Sequence, residues 1–316
     1  MGSGVLTPKA RGPLSAAVVD ALHGAARPQW DDVPPADEND LQLSLWVLYE
    51  LSFRGFEDVD AAREWDPHLL DLRGRLEGPL EQRWRQRASA TEVGDPFPDE
   101  LMRLIEDHGG ASLAGFVRRE ATRDQVLELM RWRSVYHLKE ADPTSFTVPR
   151  LPVRAQAALA ALQYDEYGGG DPARLHRHLF ACGMSDAGLR PDEGAYVDDA
   201  PAIVLEQNNA LSMFGLHRRL RGASSGHLAA FEATSSLPSR KMAGGIRRVG
   251  LPESLAAYYD EHVEADAVHE QLAVRLICGT LVEDEPETRA DVVLGAFTCL
   301  DLENRFATWA LDRWAA

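Results

Sequence analysis

The residues of this chain that could do chemistry lie mainly in its C-terminal half, where two histidines flank an aspartate. His262, Asp266 and His269 stand at positions i, i+4 and i+7, which places all three on one stripe of an α-helix. Two imidazoles and a carboxylate converging from one helix are typical of half an iron site. A polar surface face is the alternative, because the same segment carries four further acidic residues, Asp260, Glu261, Glu264 and Glu270.

A second candidate pair, Glu166 and His176, flanks three consecutive glycines at positions 168–170. On an ideal helix a separation of ten residues leaves two side chains roughly 80° apart. The glycines disfavour a regular helix, and a kink or an unwound turn between the two residues would aim both side chains inward. If the glycines form a plain loop instead, Glu166 is a solvated carboxylate at a helix end.

Two further glutamates are weaker candidates. Glu232 follows a short apolar stretch on a predicted helix, and a surface position explains it equally well. Glu140 lies near a predicted helix end, where a carboxylate is poorly matched to the helix dipole. That mismatch indicates a special role for Glu140, although Lys139, Asp142 or a local cap would also account for it.

The four features together occur in the order Glu, Glu with a His ten residues later, Glu, and His-x3-Asp-x2-His. The surrounding segments read YHLKEADP, DEYGGG, LHRHLF, FGLHRRLRG, FEATSSLPSR and DEHVEADAVHEQ. This arrangement resembles the haem-oxygenase-like diiron oxidase and oxygenase family, over roughly residues 40–316. The resemblance implies a seven-helix bundle around two irons held by Glu140, Glu166, His176, Glu232, His262, Asp266 and His269.

The same resemblance implies the reaction type. Two Fe(II) ions per chain would activate O2 as co-substrate, and an external electron donor would reduce them, because the sequence has no flavin or nicotinamide fingerprint. The N-oxygenating branch of the family is the closest analogy, since it is expected to have four carboxylates and a dimerising N-terminal helical region. We therefore expect N-oxygenation of an amine or amino-acid derivative in specialised metabolism. Oxidative C–C cleavage or desaturation of an amino acid or fatty acid is the alternative.

Other readings of these residues explain less. A ferritin-like diiron protein needs two Glu-x-x-His pairs, whereas only Asp266-x-x-His269 is present. A haem-binding relative would use a proximal histidine such as His137 and would leave the carboxylates unexplained. A cofactor-free relative or a metal-free helical binding protein would need none of the seven ligands. The oxygen-rich donor set with some imidazole suits iron better than structural zinc, with manganese as the alternative metal.

Composition restricts the partners. The formal net charge is -17, with 33 basic and 50 acidic side chains, the opposite of the balance that nucleic-acid binding requires. Three widely spaced cysteines, Cys182, Cys278 and Cys299, form neither a disulfide framework nor a CxxC motif. No signal peptide and no apolar run of membrane-spanning length is evident. We expect a cytoplasmic protein, a homodimer, with a small-molecule substrate and with neither nucleic acid nor membrane as partner.

The elements that must position these residues are helices throughout, so the predicted fold class is all-α. Apolar residues recur at spacings of three and four residues, and alternating runs of β-branched residues do not occur. The pattern predicts a helical region over residues 1–128, which could serve in dimerisation, and the diiron bundle over residues 129–316. It also predicts a helix restart at Asp171 and Pro172, and a turn at Gly244 and Gly245.

Several other polar and aromatic residues lie near the candidate ligands in sequence. Tyr164, Tyr167, Tyr258 and Tyr259 flank the ligand segments and could line the site, with aromatic packing as the favoured interpretation for all four. His217, Arg218 and Arg219 could bind a substrate carboxylate, with a surface role as the equal alternative. His178 and His227 are interpreted as structural.

Overall fold

The computed structural model describes residues 5–25 and 29–315, without the side chains of residues 264–268. Every regular element within these ranges is helical, as the all-α prediction requires. The α-helices of the described chain are α1 (Pro13–Leu22), α2 (Glu38–Glu50), α3 (Pro67–Ala88), α4 (Phe97–Glu106), α5 (Leu113–Arg119), α6 (Arg123–His137), α7 (Asp142–Ser145), α8 (Val153–Glu166), α9 (His176–Asp186), α10 (Ala202–Leu216), α11 (Arg221–Arg248), α12 (Glu253–Gln271), α13 (Thr280–Asp284) and α14 (Arg289–Ala315).

Local signals in the sequence explain where several of these helices begin. Asp37 and Asp66 cap α2 and α3, each accepting a hydrogen bond from a backbone N–H in the first turn. Pro67 occupies the first position of α3, where its missing N–H would have no helical partner. Thr122 and Gln125 form a reciprocal capping box at the start of α6. These caps satisfy backbone donors that the helix itself leaves unpaired.

Helix α11 is the central element of the bundle and packs against α5, α12 and α14. Helix α11 crosses α14 closely, because each of the two helices has a glycine facing the backbone of the other. A Cβ added at Gly226 would lie 1.9 Å from the carbonyl oxygen of Val292, and one at Gly295 would lie 1.9 Å from that of Ala223. The missing side chains therefore allow the two helices to touch backbone to backbone.

The N-terminal helices share a hydrophobic core with the later ones. Leu14 and Trp46 belong to the same buried cluster as Phe180 and Phe306. A buried ion pair of 2.6 Å joins Glu50, the last residue of α2, to Lys139, which immediately precedes Glu140 in sequence. The N-terminal helices thus pack directly on the segment that carries a candidate ligand. The division into residues 1–128 and 129–316 and the dimerising role stay predictions.

Two of the predicted boundaries are wrong. Gly244 and Gly245 lie inside α11, which also runs through Pro238 without ending. Packing requires glycine at position 245, because a Cβ at Gly245 would lie 2.6 Å from Val117 of α5. The restart at Asp171 is also displaced, because α9 begins at His176 and the Asp171 carboxylate caps a turn at Ala173 instead.

The helix that carries His262 and His269 changes its hydrogen-bonding pattern after α12 ends. Residues Leu272–Gly279 continue it as a π-helix, in which each backbone hydrogen bond spans five residues instead of four. This segment packs against α8 and α11. Among the described residues, no helix has both the length and the apolarity needed to cross a membrane.

Candidate metal centre

Six candidate ligands with described side chains come from five segments of the bundle. Glu166 is the last residue of α8, and His176 is the first residue of α9. Glu232 lies in the middle of α11, and Glu140 follows the end of α6. His262 and His269 both project from α12. All six side chains are buried, with relative exposures of 8% or less.

The first group consists of Glu140, Glu166, His176 and His262, whose ligand atoms all lie within 4.8 Å of one another. His176 Nδ1 is 3.0 Å from Glu166 Oε2. His262 Nε2 is 3.9 Å from Glu140 Oε1. Two carboxylates and two imidazoles therefore converge on a space of the size that a single metal ion occupies.

The second group consists of Glu166, Glu232 and His269, again with ligand atoms within 4.8 Å of one another. His269 Nδ1 is 3.2 Å from Glu232 Oε2 and 3.6 Å from Glu166 Oε1. Asp266, the seventh predicted ligand, has a side chain that lies outside the described residues. Glu166 is common to both groups, with one carboxylate oxygen near each.

The three glycines explain how Glu166 and His176 meet despite their separation in sequence. Gly168, Gly169 and Gly170 all have positive φ angles, of 72°, 64° and 87°. Such angles are readily adopted by glycine alone. A Cβ at Gly168 would also lie 2.6 Å from the backbone nitrogen of Leu175. The glycines thus reverse the chain tightly and return it to the site, as the unwound-turn interpretation predicted.

Each histidine of α12 has its second ring nitrogen occupied by an outer partner. His262 Nδ1 is 2.8 Å from the backbone carbonyl oxygen of Tyr258, which leaves Nε2 facing the first group. His269 Nε2 is 2.9 Å from Asp165 Oδ2, which leaves Nδ1 facing the second group. Partners of this kind fix the tautomer and the orientation of metal-binding imidazoles.

Glu140 is held by two residues that the sequence analysis named in other roles, Tyr258 and His137. Tyr258 donates a hydrogen bond of 2.8 Å from its hydroxyl to Glu140 Oε2. The same oxygen lies 3.2 Å from Nδ1 of His137. Oε1 is buried and has no hydrogen-bond partner among the described residues. One oxygen of Glu140 is therefore positioned by protein, and the other is available to a cation.

The pKa values of the glutamate and histidine side chains show how strongly the charges interact. Burial raises the pKa of Glu140 to about 7, against the lowering effect of nearby His262. Burial alone would lower the pKa of His176, but the Glu166 carboxylate raises it to about 9. His269 behaves in the same way, with Glu232 raising its pKa to about 9. A cation between these groups would take over the role of the imidazolium protons.

The donor set fits iron. Carboxylate oxygens and imidazole nitrogens in a mixed set suit iron or manganese. Glu140 Oε1 is buried without a hydrogen-bond partner in the described structure. A buried polar atom without a partner is unfavourable, and a metal ion would satisfy it. Cys278 and Cys299 are not candidate ligands, because both thiols are buried and burial raises their pKa values.

Three of the remaining candidates, His217, Arg219 and His178, contact residues other than the candidate ligands. His217 pairs with Glu77 at 2.9 Å, and Arg219 pairs with Glu81. Neither is thus free to recruit a substrate carboxylate to the candidate ligands. His178 is exposed, with Cys182 as its neighbour. His227 is buried and lines a small cavity together with Glu140, Glu166, Glu232 and His262, so its interpretation as structural stays a prediction.

Comparison with known proteins decides the family. A family model described as iron-containing redox enzyme matches residues 127–304, more than half of the chain. The chain belongs to this family. Its activity is accordingly that of an iron-containing oxidoreductase, and the matched range includes all seven predicted ligands. A search of curated proteins found no match.

Solved structures support the fold assignment. A CADD-like protein of unknown function from Nostoc punctiforme matches with a TM-score of 0.53 and 14% sequence identity. The match covers 68% of this chain and 95% of the other. At this identity the likeness speaks for the fold alone. Together with the family, it confirms the all-α, haem-oxygenase-like bundle predicted from the sequence.

Proposed function

We propose that this chain is a non-haem diiron enzyme that uses O2 to oxidise a small molecule, and that its reaction is N-oxygenation of an amine or amino-acid derivative. The position of Glu166 carries the proposal. Its Oε2 lies 3.0 Å from His176 in one group of ligands, and its Oε1 lies 3.6 Å from His269 in the other. A carboxylate placed in this way would contribute ligand oxygens to both groups.

The remaining ligands divide between the two sides of Glu166. Glu140, His176 and His262 would hold one iron, and Glu232 and His269 would hold the other, with Asp266 assigned to the set from the sequence. Bound in this way, two Fe(II) ions would supply the electrons for the reductive activation of O2. The protein contributes a fixed set of ligands whose outer hydrogen bonds keep them in position.

The residues around the ligands restrict water. A cavity of about 20 Å³ adjoins the site and is lined by Leu211, Leu228 and Phe231 as well as by Glu140, Glu166, Glu232 and His262. This is room for about one water molecule. A site that admits so little solvent protects an activated oxidant from unproductive reactions. Burial raises the pKa of the Tyr258 hydroxyl well above its ordinary value, so this group stays protonated and donates a hydrogen bond to Glu140.

The choice of N-oxygenation over carbon chemistry rests on analogy with the N-oxygenating branch and on its expected four carboxylates. Three of the four, Glu140, Glu166 and Glu232, converge at the site. The proposal also includes an external electron donor. It further includes a homodimer in which residues 1–128 form the contact between the two copies. The fold alone does not choose among these reactions.

The direct test is O2 consumption by protein loaded with Fe(II) under anaerobic conditions. We expect the loaded wild type to consume O2, and His262→Ala and His269→Ala to lose both iron and O2 consumption. His178→Ala is the matched control, because His178 is an exposed histidine. Normal iron content in both ligand variants would sink the ligand assignment.

The reaction type is tested separately, by incubating the loaded protein with amines and amino acids under ¹⁸O2 and a reductant. A product with one ¹⁸O atom on nitrogen supports N-oxygenation. A chain-shortened or desaturated product, without labelled nitrogen, would instead establish the carbon-oxidising alternative.

A further inference from the structure

A cavity of about 340 Å³ lies between α6, α11 and α14, beside the proposed centre. The loop over residues 108–112 closes one side, and Tyr259 of α12 contributes from another. The volume falls in the usual range for small-molecule sites. Its walls are mixed, with apolar surface from Leu129, Met242, Leu300 and Ala307, and polar surface from Ser239 and Asn304.

Two residues connect this cavity to the proposed metal centre. Phe231 lines both the 340 Å³ cavity and the small 20 Å³ space beside the ligands. His137 lines the large cavity and also contacts Glu140, with Nδ1 3.2 Å from Oε2. A molecule in the large cavity is thus separated from the ligands by single side chains rather than by a helix.

An ion pair lies in the wall of the large cavity. Arg133 of α6 donates from both terminal guanidinium nitrogens to Glu303 of α14, at 2.7 and 2.8 Å. Gln207 donates a third hydrogen bond to Glu303. Both side chains are partly buried, and 20% of the surface of Arg133 and 35% of that of Glu303 remain accessible. Since both line the cavity, that accessible surface faces it.

Both groups remain charged. Burial would lower the pKa of Arg133, but Glu303 raises it above its ordinary value. Burial would likewise raise the pKa of Glu303, but Arg133 lowers it below the ordinary value. Of the five N–H groups of a guanidinium, Arg133 uses two on Glu303, and no other hydrogen bond from it is present in the described structure. The pair therefore has unused hydrogen-bonding capacity toward the cavity.

We propose that the 340 Å³ cavity is the substrate pocket and that Arg133 and Glu303 are its specificity-determining residues, selecting a zwitterion with a carboxylate and a protonated amine. The inference rests on the proposed function and adds the substrate class. Arg133 would bind the carboxylate through its remaining N–H groups, because guanidinium and carboxylate pair in a planar, charge-assisted geometry. Glu303 would accept from the ammonium group.

The cavity discriminates against ligands with one charge only. A fatty acid would bring its carboxylate close to that of Glu303, and a simple alkylamine would bring its ammonium close to Arg133. Like charges at such distances are unfavourable in a site shielded from water. A zwitterion meets an opposite charge at each end, and its side chain can pack on the apolar wall.

The test is calorimetric binding to the Fe(II)-loaded protein without O2, so that no turnover occurs. The probes are the twenty proteinogenic L-amino acids at millimolar concentration, followed by the matching amine and the matching carboxylic acid of each amino acid that binds. We expect at least one amino acid to bind, and its two single-charge counterparts to bind about tenfold or more weakly. Binding of no amino acid, or equal binding of a counterpart, would overturn the proposal.

The residues are tested with the double variant Arg133→Met and Glu303→Leu. Removing one partner alone would leave a buried charge and endanger folding, whereas replacing both with apolar side chains of similar size is often tolerated. We expect the double variant to bind the amino acid about tenfold or more weakly while its iron content stays normal. Asp301→Asn is the matched control, since Asp301 is a charged residue of α14 that pairs with Arg87.

The iron content of the protein distinguishes failure of the substrate class from failure of the proposed function. Normal iron loading without amino-acid binding overturns the substrate class and leaves the diiron proposal standing. An unchanged affinity in the double variant overturns the role of the ion pair. Failure of the wild type to load iron contradicts the proposed function itself.

Discussion

Tyr258 donates a hydrogen bond of 2.8 Å from its hydroxyl to Oε2 of Glu140. The two residues are far apart in sequence, and the bond joins α12 to the segment that follows α6. Glu140 lies beyond the last residue of its helix, so its position depends on such tertiary contacts rather than on helix geometry. The bond leaves Oε1 directed at His262, 3.9 Å away.

Tyr258→Phe removes this hydroxyl and keeps the ring in the core. We expect the apparent Fe(II) affinity to fall about 10–100-fold, as for other residues that orient a ligand, with little change in thermal stability. Competition with a chromogenic chelator measures the affinity. Tyr259→Phe is the control, because its hydroxyl contacts the sulfur of Met130 instead of a ligand. Equal affinities in both variants would show that the Glu140 contact does not position a ligand.

Asp165 has the corresponding role at the second group of ligands, since its Oδ2 lies 2.9 Å from His269 Nε2. Asp165→Ala frees the imidazole to adopt the wrong tautomer. We expect the second iron to bind about tenfold or more weakly, while the first binds normally. Stepwise anaerobic titration resolves the two events. Asp284→Ala, at an exposed aspartate paired with Arg154, is the control, and identical titration curves would contradict the role of Asp165.

His227 makes the stability of the metal-free protein depend on pH. Burial lowers its pKa from 6.5 to about 4, so the unfolded chain binds the proton first as the pH falls. The contribution of His227 is therefore complete above about pH 6.5 and is lost between about pH 6.5 and 4. Between pH 7 and pH 5 the free energy of unfolding should fall by about 2 kcal/mol through this residue.

Urea denaturation at both pH values measures this effect in the wild type and in His227→Met. The variant cannot take up the proton, so its loss of stability on acidification should be smaller by that amount. His178→Met controls for removal of an exposed histidine. The same pH dependence in wild type and His227→Met would exclude His227 as the titrating group.

The close crossing of α11 and α14 is tested at Gly226. Gly226→Ala places a methyl group against the carbonyl oxygen of Val292, 1.9 Å away before relaxation. We expect a destabilisation of about 3 kcal/mol, because backbone must move to accommodate it. Gly74→Ala in α3 meets no neighbouring atom and should stabilise by about 0.5–1 kcal/mol, since alanine has the better helix propensity. Thermal or urea unfolding of both variants checks the contrast in sign.

The order and type of the elements were predictable because helix signals are local. Apolar periodicity located the helices, and the glycines at 168–170 indicated the interruption between Glu166 and His176. The errors arose where tertiary packing overrides local preference. Gly245 reads as a turn residue, but it is required by the contact with Val117 inside a continuous helix.

The candidate site was predictable only in part. Six predicted ligands with described side chains fall into two adjacent groups, although their role as ligands stays a prediction. The sequence analysis named Tyr258 only as flanking a ligand segment and did not name Asp165, because each acts through a partner that only folding brings near. Their positions, four residues before His262 and next to Glu166, were the signals that could have suggested outer contacts. The pairing of Arg133 with Glu303 could not be predicted from the sequence, because most of the bundle lies between the two residues in the chain.

The most direct test of the central claim is the number of Fe(II) ions that the metal-free protein binds tightly in an anaerobic titration. Glu166 is shared by two groups of ligands, so we expect two ions per chain. We expect none bound tightly in Glu166→Ala, because both groups lose a ligand. One ion per chain in the wild type, or two in Glu166→Ala, would contradict the proposal that Glu166 links two irons.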